Sequence, residues 1–370
     1  SLMTPQTMSV ITRTFPAAKR GSAMALWGGT AGVATLVGPI LGGVLVDAAG
    51  WEWIFFINVP VGLIGFVLAL RLVPALETHS HAFDWFGVTL SAVGMFLLTF
   101  GIQEGEAYDW GQISGALSVP LLIALGLAVL AVFVGWQSRI RREPLVPLSL
   151  FRDRNFCLSN AGIACTSMAI TATFLPFTFY AQAARGWSPT QAALLGAPMA
   201  VVMVVASPYV GRLVDRAHPR SITVVGFGTG ALTLLWLTEL VEDVGTPVWV
   251  LCTAMAIFGI SNACMWPPLA ATATRNLPMT SAGAGSGVYN TIRQVGAVLG
   301  SAAIASLIES RLDSHHLPAD SFGETGGRMA AAAHAPFAAA MGEAMLLPTA
   351  TLAVGLVISL FFLRPVTDTP

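Results

Sequence analysis

Charge is what this 370-residue chain has least of: Asp, Glu, Lys and Arg make up 10% of it, against 55% hydrophobic residues and a mean hydropathy of +0.73. Globular domains carry about 25% charged residues, and a chain this poor in them cannot cover its apolar surface in water. Cysteine is scarce too. Cys157, Cys165, Cys252 and Cys264 lie inside or at the edge of apolar runs without metal-ligand spacing, so they read as small buried residues rather than as disulfide or metal chemistry. Alternating patterns are missing from the runs, which disfavours barrel strands of about 10 residues as the spanning element. Carboxylates are missing from the run interiors: all nineteen fall in loops or at run ends, with Asp47, Glu104, Glu239, Glu309 and Glu343 nearest to membrane depth. A Ser/His/Asp set is absent there as well, which argues against an enzyme. His79 with His81 and His315 with His316 lack the further ligands of a metal site. Gly283, Gly285 and Gly287 follow no strand and precede no Lys, which removes the phosphate-loop reading.

What the chain does have is ten apolar runs near the roughly 20 residues that cross about 30 Å of hydrocarbon. They cover approximately 22–46, 53–73, 86–103, 116–137, 156–180, 191–211, 221–240, 247–270, 284–308 and 344–363. The expected fold class is an all-α polytopic membrane protein. Fourteen of the eighteen Lys and Arg residues lie in alternate gaps, from Arg13, Lys19 and Arg20 through Arg139, Arg141 and Arg142 to Arg212, Arg216, Arg220, Arg275 and Arg364. The opposite gaps hold only Arg185, Arg311 and Arg328. Because cytoplasmic loops retain basic residues, this asymmetry puts the first gap and the C-terminus in the cytoplasm.

A shift of 262 residues lays Phe15-Pro16-Ala17-Ala18-Lys19-Arg20-Gly21 over Leu277-Pro278-Met279-Thr280-Ser281-Ala282-Gly283, Val33 over Val295 and Gly38 over Gly300. Both copies are a polar turn with Pro followed by a Gly-rich span, as two related helical bundles would give. Small residues recur at Gly28, Gly32, Gly38, Gly42 and Gly43, which allows close helix approach, and Pro39 removes a helical hydrogen bond between two glycines.

Arg293 stands nine residues into its run, about 14 Å deep at 1.5 Å per residue. An arginine at that depth is expensive in lipid and must face protein or water. Ser286, Asn290, Arg293, Gln294 and Ala297 form a polar stripe at helical spacing. A second stripe comes from Ser261, Asn262, Met265 and Trp266, just before Pro267-Pro268, which are expected to break the helix at its cytoplasmic end. A third comes from Thr166, Thr173, Phe174 and Phe177. Aromatic and Met side chains beside a few amides suit bulky apolar or cationic compounds; ordinary helix packing gives the same pattern.

Three segments carry a resemblance. Arg20-Gly21-Ser22-Ala23-Met24-Ala25, Gly38-Pro39-Ile40-Leu41-Gly42-Gly43 and Trp51-Glu52-Trp53-Ile54-Phe55-Phe56-Ile57-Asn58-Val59-Pro60-Val61-Gly62 together resemble the fifth and sixth helices of the fourteen-span drug:proton antiporters, the EmrB/QacA type of the major facilitator superfamily. There the Gly-Pro segment is the antiporter motif, placed where two bundles meet; Ala25 and Ala34 stand here where Gly is usual. Gly211-Arg212-Leu213-Val214-Asp215-Arg216-Ala217-His218-Pro219-Arg220 is similar to the superfamily's cytoplasmic loop signature, with His218 in place of Gly. Gly283 to Gly296 is similar to the thirteenth helix.

The resemblance implies about ten of fourteen helices, with some four N-terminal ones missing and Ser1 to Thr14 ending another. Residues 1–74 would close the first bundle, 75–155 would hold an inserted helix pair and cytoplasmic linker, and 156–370 would form a six-helix bundle. It also implies proton-coupled export of lipophilic or cationic drugs across the cell membrane by alternating access. Gly38, Pro39, Gly42 and Gly43 would then gate, and Gly211, Arg212, Asp215, Arg216 and Arg220 would latch the cytoplasmic end. Phe174, Asn262, Met265, Trp266, Asn290, Arg293 and Gln294 would line the substrate cavity. The implied partners are protons, a lipophilic small molecule and the bilayer, with no cofactor, metal or nucleic acid. The protein would act as a monomer, with or without an accessory efflux partner. Export of a specific natural product, lipid or siderophore on the same fold stays open, as does a transport-inactive receptor or scaffold.

Overall fold

The computed structural model describes residues 7, 10–11, 14–16, 19–50, 52–73, 84–105, 108, 110–115, 117–140, 145–216, 218–275, 277, 281–317 and 333–363. The basic residues Arg13, Arg141, Arg142, Arg328 and Arg364, the histidines His79 and His81 and the expected boundary at 74–75 lie outside them. Most of the helix expected over Ser1–Thr14 does too, although Thr7, Val10, Ile11 and Thr14 are helical.

Helices account for nearly all that is described. In chain order they are α1 (Arg20–Ala49), α2 (Trp53–Phe56), α3 (Asn58–Leu72), α4 (Trp85–Gln103), α5 (Val119–Arg139), α6 (Arg154–Phe179), α7 (Pro189–Leu194), α8 (Ala197–Arg216), α9 (Pro219–Glu242), α10 (Val248–Arg275), α11 (Ala282–Ser314), α12 (His334–Ala344) and α13 (Leu346–Ser359). Among the described residues, nine helical stretches are long and apolar enough to cross a membrane, with α2–α3 and α12–α13 each counting as one. The 30-residue α1 is long enough to join them.

Several boundaries follow from local chemistry. Asp153 caps α6 by accepting from the amides of Asn155 (2.8 Å) and Phe156 (3.2 Å). His218 caps α9 through Nδ1, which accepts from the Arg220 amide at 3.0 Å ahead of a Pro at the first helical position. The run expected from 116 starts later, at Val119. A short antiparallel hairpin, β1 (Gln112–Ser114) with β2 (Leu117–Ser118), occupies the preceding residues, and Ser118 then caps α5. The last span begins at His334 rather than 344, because an Ala-rich stretch carries the helix outward to a break at Met345. Pro267 and Pro268 do not break their helix. Both are buried and α10 runs on through Thr274 to Arg275, since inside a bundle neighbouring helices hold the segment in place.

Several buried hydroxyls are absorbed within the helices. Thr166, Thr173, Ser207, Thr223, Thr238 and Thr274 each donate to the carbonyl four residues back at 2.6 to 3.0 Å, the usual solution where water is absent. The core is built from α6 and α8–α13: α11 lies on α6, α10 lies on α8 and α9, and α13 closes against α9 and α6. At the ends of this bundle, Asn155 exchanges two hydrogen bonds with Leu363. At the other end, Arg185 donates to the Thr246 carbonyl at 2.6 Å while its guanidinium covers Trp187 at 4.7 Å.

Two parts stand apart. The first is the α4–α5 hairpin, which packs mainly on itself and touches α11 through α4. Glycines let its backbones meet, since a Cβ on Gly126 would stand 2.7 Å from the Leu98 amide nitrogen. Asp84 clasps its end, accepting from the Gly87 amide (2.8 Å), the Trp136 indole (3.2 Å) and the Gln137 amide (2.7 Å). Burial pushes the Asp84 carboxyl up, but these hydrogen bonds together outweigh it and hold the group below its usual range. The second is α2–α3, which has no buried residue.

Candidate functional site

The Gly-Pro helix α1 does not pack with the helices that follow it in sequence. It lies along α8 and also reaches α10. Ala23, Met24, Ala25, Gly28 and Gly29 are buried there. The contact is extensive but has room at its glycines: a Cβ built on Gly28 would stand 3.6 Å from the Pro267 ring, and one on Gly29 would stand 3.8 Å from Ser207. Farther along, Gly38 and Gly42 have nothing within 4 Å of such a Cβ. Gly38 is exposed and Gly42 half-buried; Pro39 and Gly43 are helical, and their surroundings lie outside the described side chains.

Seams inside the bundle differ. A Cβ on Gly226 would lie 2.9 Å from the Cys264 backbone, one on Gly296 2.9 Å from the Ala164 Cα, and one on Gly300 2.9 Å from the Met168 Cα. At under 3 Å from backbone atoms, the helices themselves would have to move.

These close approaches also fix the axial register. Gly162 faces Leu269, and the Thr166 hydroxyl meets the Met265 sulfur at 3.9 Å, so α6 and α10 run antiparallel. Gly296 faces Ala164 and Gly300 faces Met168, so α6 and α11 run parallel. One turn further along α6, Ser159 falls opposite Thr272, and Asn160 falls at the level of Arg293.

At that level Arg293 lies half-buried with its guanidinium carbon 5.8 Å from the centre of the Trp266 ring, a cation–π contact. Of the seven cavity residues expected from sequence, these two are brought together. Asn290 is buried and donates from its amide to the Ser286 carbonyl at 3.0 Å. Gln294 is exposed on the next face. Asn262 is buried and donates to the Phe258 carbonyl at 2.9 Å, and Met265 is fully buried against Thr166. Phe174 is 40% exposed in the C-terminal half of α6, beside Gly196 and away from the Arg293 level, while Thr173 and Phe177 are buried in packing.

Around Arg293 the structure adds groups that the sequence patterns passed over. The hydroxyls of Ser159, Thr272 and Tyr289, the Asn160 Oδ1 and the Arg293 Nε are buried with no hydrogen-bond partner among the described residues, as is the hydroxyl of Ser286, which the stripe did include. Tyr289 is wholly buried. Ser286, Tyr289 and Arg293 share one stripe of α11 with Gly296 and Gly300, the stripe that faces α6. The legible signal was Ser159-Asn160 one and two turns before Gly162 and Thr166. It went unread because Ser and Asn near a helix start usually serve the helix end.

In the loop signature, Gly211 is buried between Val210 and Val214, with Arg212, Arg216 and Arg220 exposed. The Asp215 carboxylate lies outside the described side chains. Described ion pairs sit at the opposite end of the bundle, where Glu343 meets Arg311 at 3.1 Å and His315 at 3.2 Å.

Apolar spans of membrane length, a helical bundle and a Gly-Pro helix laid across it define a helical multi-pass membrane protein. The chain belongs to the Major Facilitator Superfamily, whose family model matches residues 1–301. It is 49% identical over 368 residues to the uncharacterized MFS-type transporter Rv1250 of Mycobacterium tuberculosis, covering 97% of this chain and 62% of that one. It is 32% identical to the tetracenomycin C resistance and export protein of Streptomyces glaucescens (84% of this chain, 57% of that one). It is also 29% identical to the multidrug export protein EmrB of Escherichia coli (84% and 60%). The chain thus spans about three fifths of the length of these curated relatives.

Proposed function

We propose that the protein is a secondary active exporter of lipophilic small molecules, driven by protons and working by alternating access, with its basic loops and C-terminus in the cytoplasm. The observation that carries this reading is the difference between seams. Inside the α6–α13 bundle, helices meet backbone to backbone at glycines, which makes a rigid body. The Gly-Pro helix meets that body through ordinary van der Waals contacts at Gly28 and Gly29, which can slide. Rocking of one rigid bundle against another about such an interface is how this class alternates access. In this reading residues 1–74 belong to the first bundle, 75–155 are an inserted pair with its linker, and 156–370 form the second bundle. Gly38, Pro39, Gly42 and Gly43 keep the seam gated, Gly211 to Arg220 latch its cytoplasmic end through Asp215, and Trp266 with Arg293 meets the cargo.

Two of the named relatives are export proteins, which supports the direction of transport. A narrower reading, export of one compound, is favoured by the relative named for tetracenomycin C.

The test is extrusion of a panel of fluorescent lipophilic dyes by cells making the full-length protein, with and without a protonophore. Extrusion that stops with the protonophore is expected. Retention of every dye across acidic, neutral and basic members would end the multidrug reading, and extrusion that ignores the protonophore would end proton coupling.

A further inference from the structure

Resting on the export reading, we propose that the α6–α10–α11 junction is a docking site for a hydrogen-bond-accepting, preferentially anionic head group, so that the favoured cargo is an amphiphilic acid such as a carboxylate or phenolate. This departs from the apolar or cationic cargo expected from the aromatic and Met content of the spans.

Charge is the first argument. Arg293 lies about 16 Å into α11, eleven residues from its first residue. Helices α6 and α10, which flank it, contain no Asp or Glu at all. On α11 the nearest carboxylate is Glu309, sixteen residues and about 24 Å along the axis. No described carboxylate pairs with Arg293. A cation held this deep is ordinarily matched by an anion or by carbonyls. Here its protein contact is the face of Trp266, which steadies a guanidinium without neutralising it. A lipophilic cation arriving at this level meets like charge in a low-dielectric setting, and an anion meets the opposite.

Donor chemistry is the second argument, and it is independent of the charge. Six buried polar atoms within about two helical turns of Arg293 on the facing stripes of α6, α10 and α11 have no partner among the described residues, and five of them can donate: Ser159 Oγ, Thr272 Oγ1, Ser286 Oγ, Tyr289 OH and Arg293 Nε. The sixth, Asn160 Oδ1, accepts, and suits a hydroxyl beside the acidic group. Elsewhere in the same helices, buried hydroxyls at Thr166, Thr173 and Thr274 are satisfied by their own backbone, and among the described residues of α6, α10 and α11 only Ser167, farther along α6, shares the shortfall outside this region. Native proteins leave few such groups unpaired. A guanidinium with several hydroxyl donors and no carboxylate is the donor set that recognises carboxylates and phenolates. Trp266 and Arg293 are each half-buried and Gln294 beside Arg293 is exposed, so the junction is not sealed.

The test is equilibrium binding to the purified full-length protein of two probes with one body and opposite heads: 11-(dansylamino)undecanoic acid and the matching dansylaminoundecyl trimethylammonium. The acid is expected to bind at least ten times more tightly. Arg293→Ala and Arg293→Gln should each weaken the acid tenfold or more and leave the ammonium unchanged or tighter, while Arg293→Lys keeps part of the affinity. Tyr289→Phe, which removes only the hydroxyl, should weaken the acid about threefold. Equal binding of both probes, preference for the ammonium, binding of neither, or equal weakening of both by Arg293→Ala overturns the proposal. The wild-type preference needs no variant, so a misfolded Arg293 variant does not blunt the test. Binding is read apart from transport: acid-selective binding in a protein that extrudes nothing ends the export reading and leaves the site standing. Dye extrusion with ammonium-selective binding does the reverse.

Discussion

Helices α1 and α11 are related by the 262-residue repeat, yet their glycine faces are used in opposite ways. Gly296 and Gly300 of α11 are pressed against the backbone of α6 at Ala164 and Met168. The repeat sets Ala34 and Gly38 of α1 over the same two positions, and there Gly38 meets nothing within 4 Å while Ala34 is exposed. Instead α1 buries the earlier turns, at Gly28 and Gly29, on α8 and α10. One small-residue pattern therefore does two jobs. Where a glycine is wedged against another backbone it holds two helices at close approach, and where it only grazes a side chain it sets no such limit, which is what the proposed sliding seam needs.

That contrast can be attacked directly. The largest effect is expected at Gly296→Ala, whose new Cβ would collide with the Ala164 backbone; overpacking of this kind costs about 1–3 kcal/mol. Thermal unfolding of the full-length protein in detergent should show the loss, whereas Gly28→Ala, whose Cβ would make an ordinary 3.6 Å contact with Pro267, should change stability by less than about 0.5 kcal/mol. Equal losses would erase the distinction between fixed and sliding seams.

Gly38→Leu sharpens the functional side. It should leave insertion and yield intact and reduce extrusion more than tenfold, because a bulky side chain blocks the face that the moving helix needs. Wild-type extrusion in that variant would remove the gating role from the motif.

Smaller still is the clasp of the α4–α5 hairpin. Its carboxylate is held below the usual range by the hydrogen bonds that it accepts from Gly87, Trp136 and Gln137. The stabilisation is therefore fully present above the unfolded value of about 3.9 and fades as pH falls through the lower folded value. Stability measured from pH 6 down to pH 3 should fall at the acid end in the native protein, and Asp84→Asn should flatten that part of the curve. The least effect belongs to Glu343→Gln. It breaks partly exposed pairs to Arg311 and His315, worth about 0–1 kcal/mol, and its unfolding curve should nearly overlay that of the native protein.

Much of the fold was legible before any coordinate. Nine of the ten expected spans meet described stretches of membrane length, and α1 is a single long helix, because crossing hydrocarbon imposes a length and an apolar composition that any sequence must display. Boundaries were less legible where local rules compete. Ser118 as a cap moved the start of α5, and the buried pair Pro267-Pro268 stayed helical although proline usually ends a helix. Within the candidate site, the stripe through Asn290 and Arg293 was readable from helical spacing, and Trp266 was singled out on its own helix. Their meeting was not, since it depends on how α10 and α11 are rotated and slid against each other.

By itself, then, the sequence determined that the protein is a helical, multi-pass membrane chain with its basic loops sorted to one side and an arginine too deep to face lipid. Those properties are local sums over neighbouring residues. Tertiary structure alone decided which glycines bear on backbone and which bear on almost nothing, that Arg293 lies over Trp266 with no described carboxylate paired to it, and that Ser159, Asn160, Thr272, Ser286 and Tyr289 of the same junction keep polar atoms without a partner among the described residues. Each of these rests on contacts between helices more than a hundred residues apart or on the rotation of one helix against another, which packing sets and sequence periodicity does not.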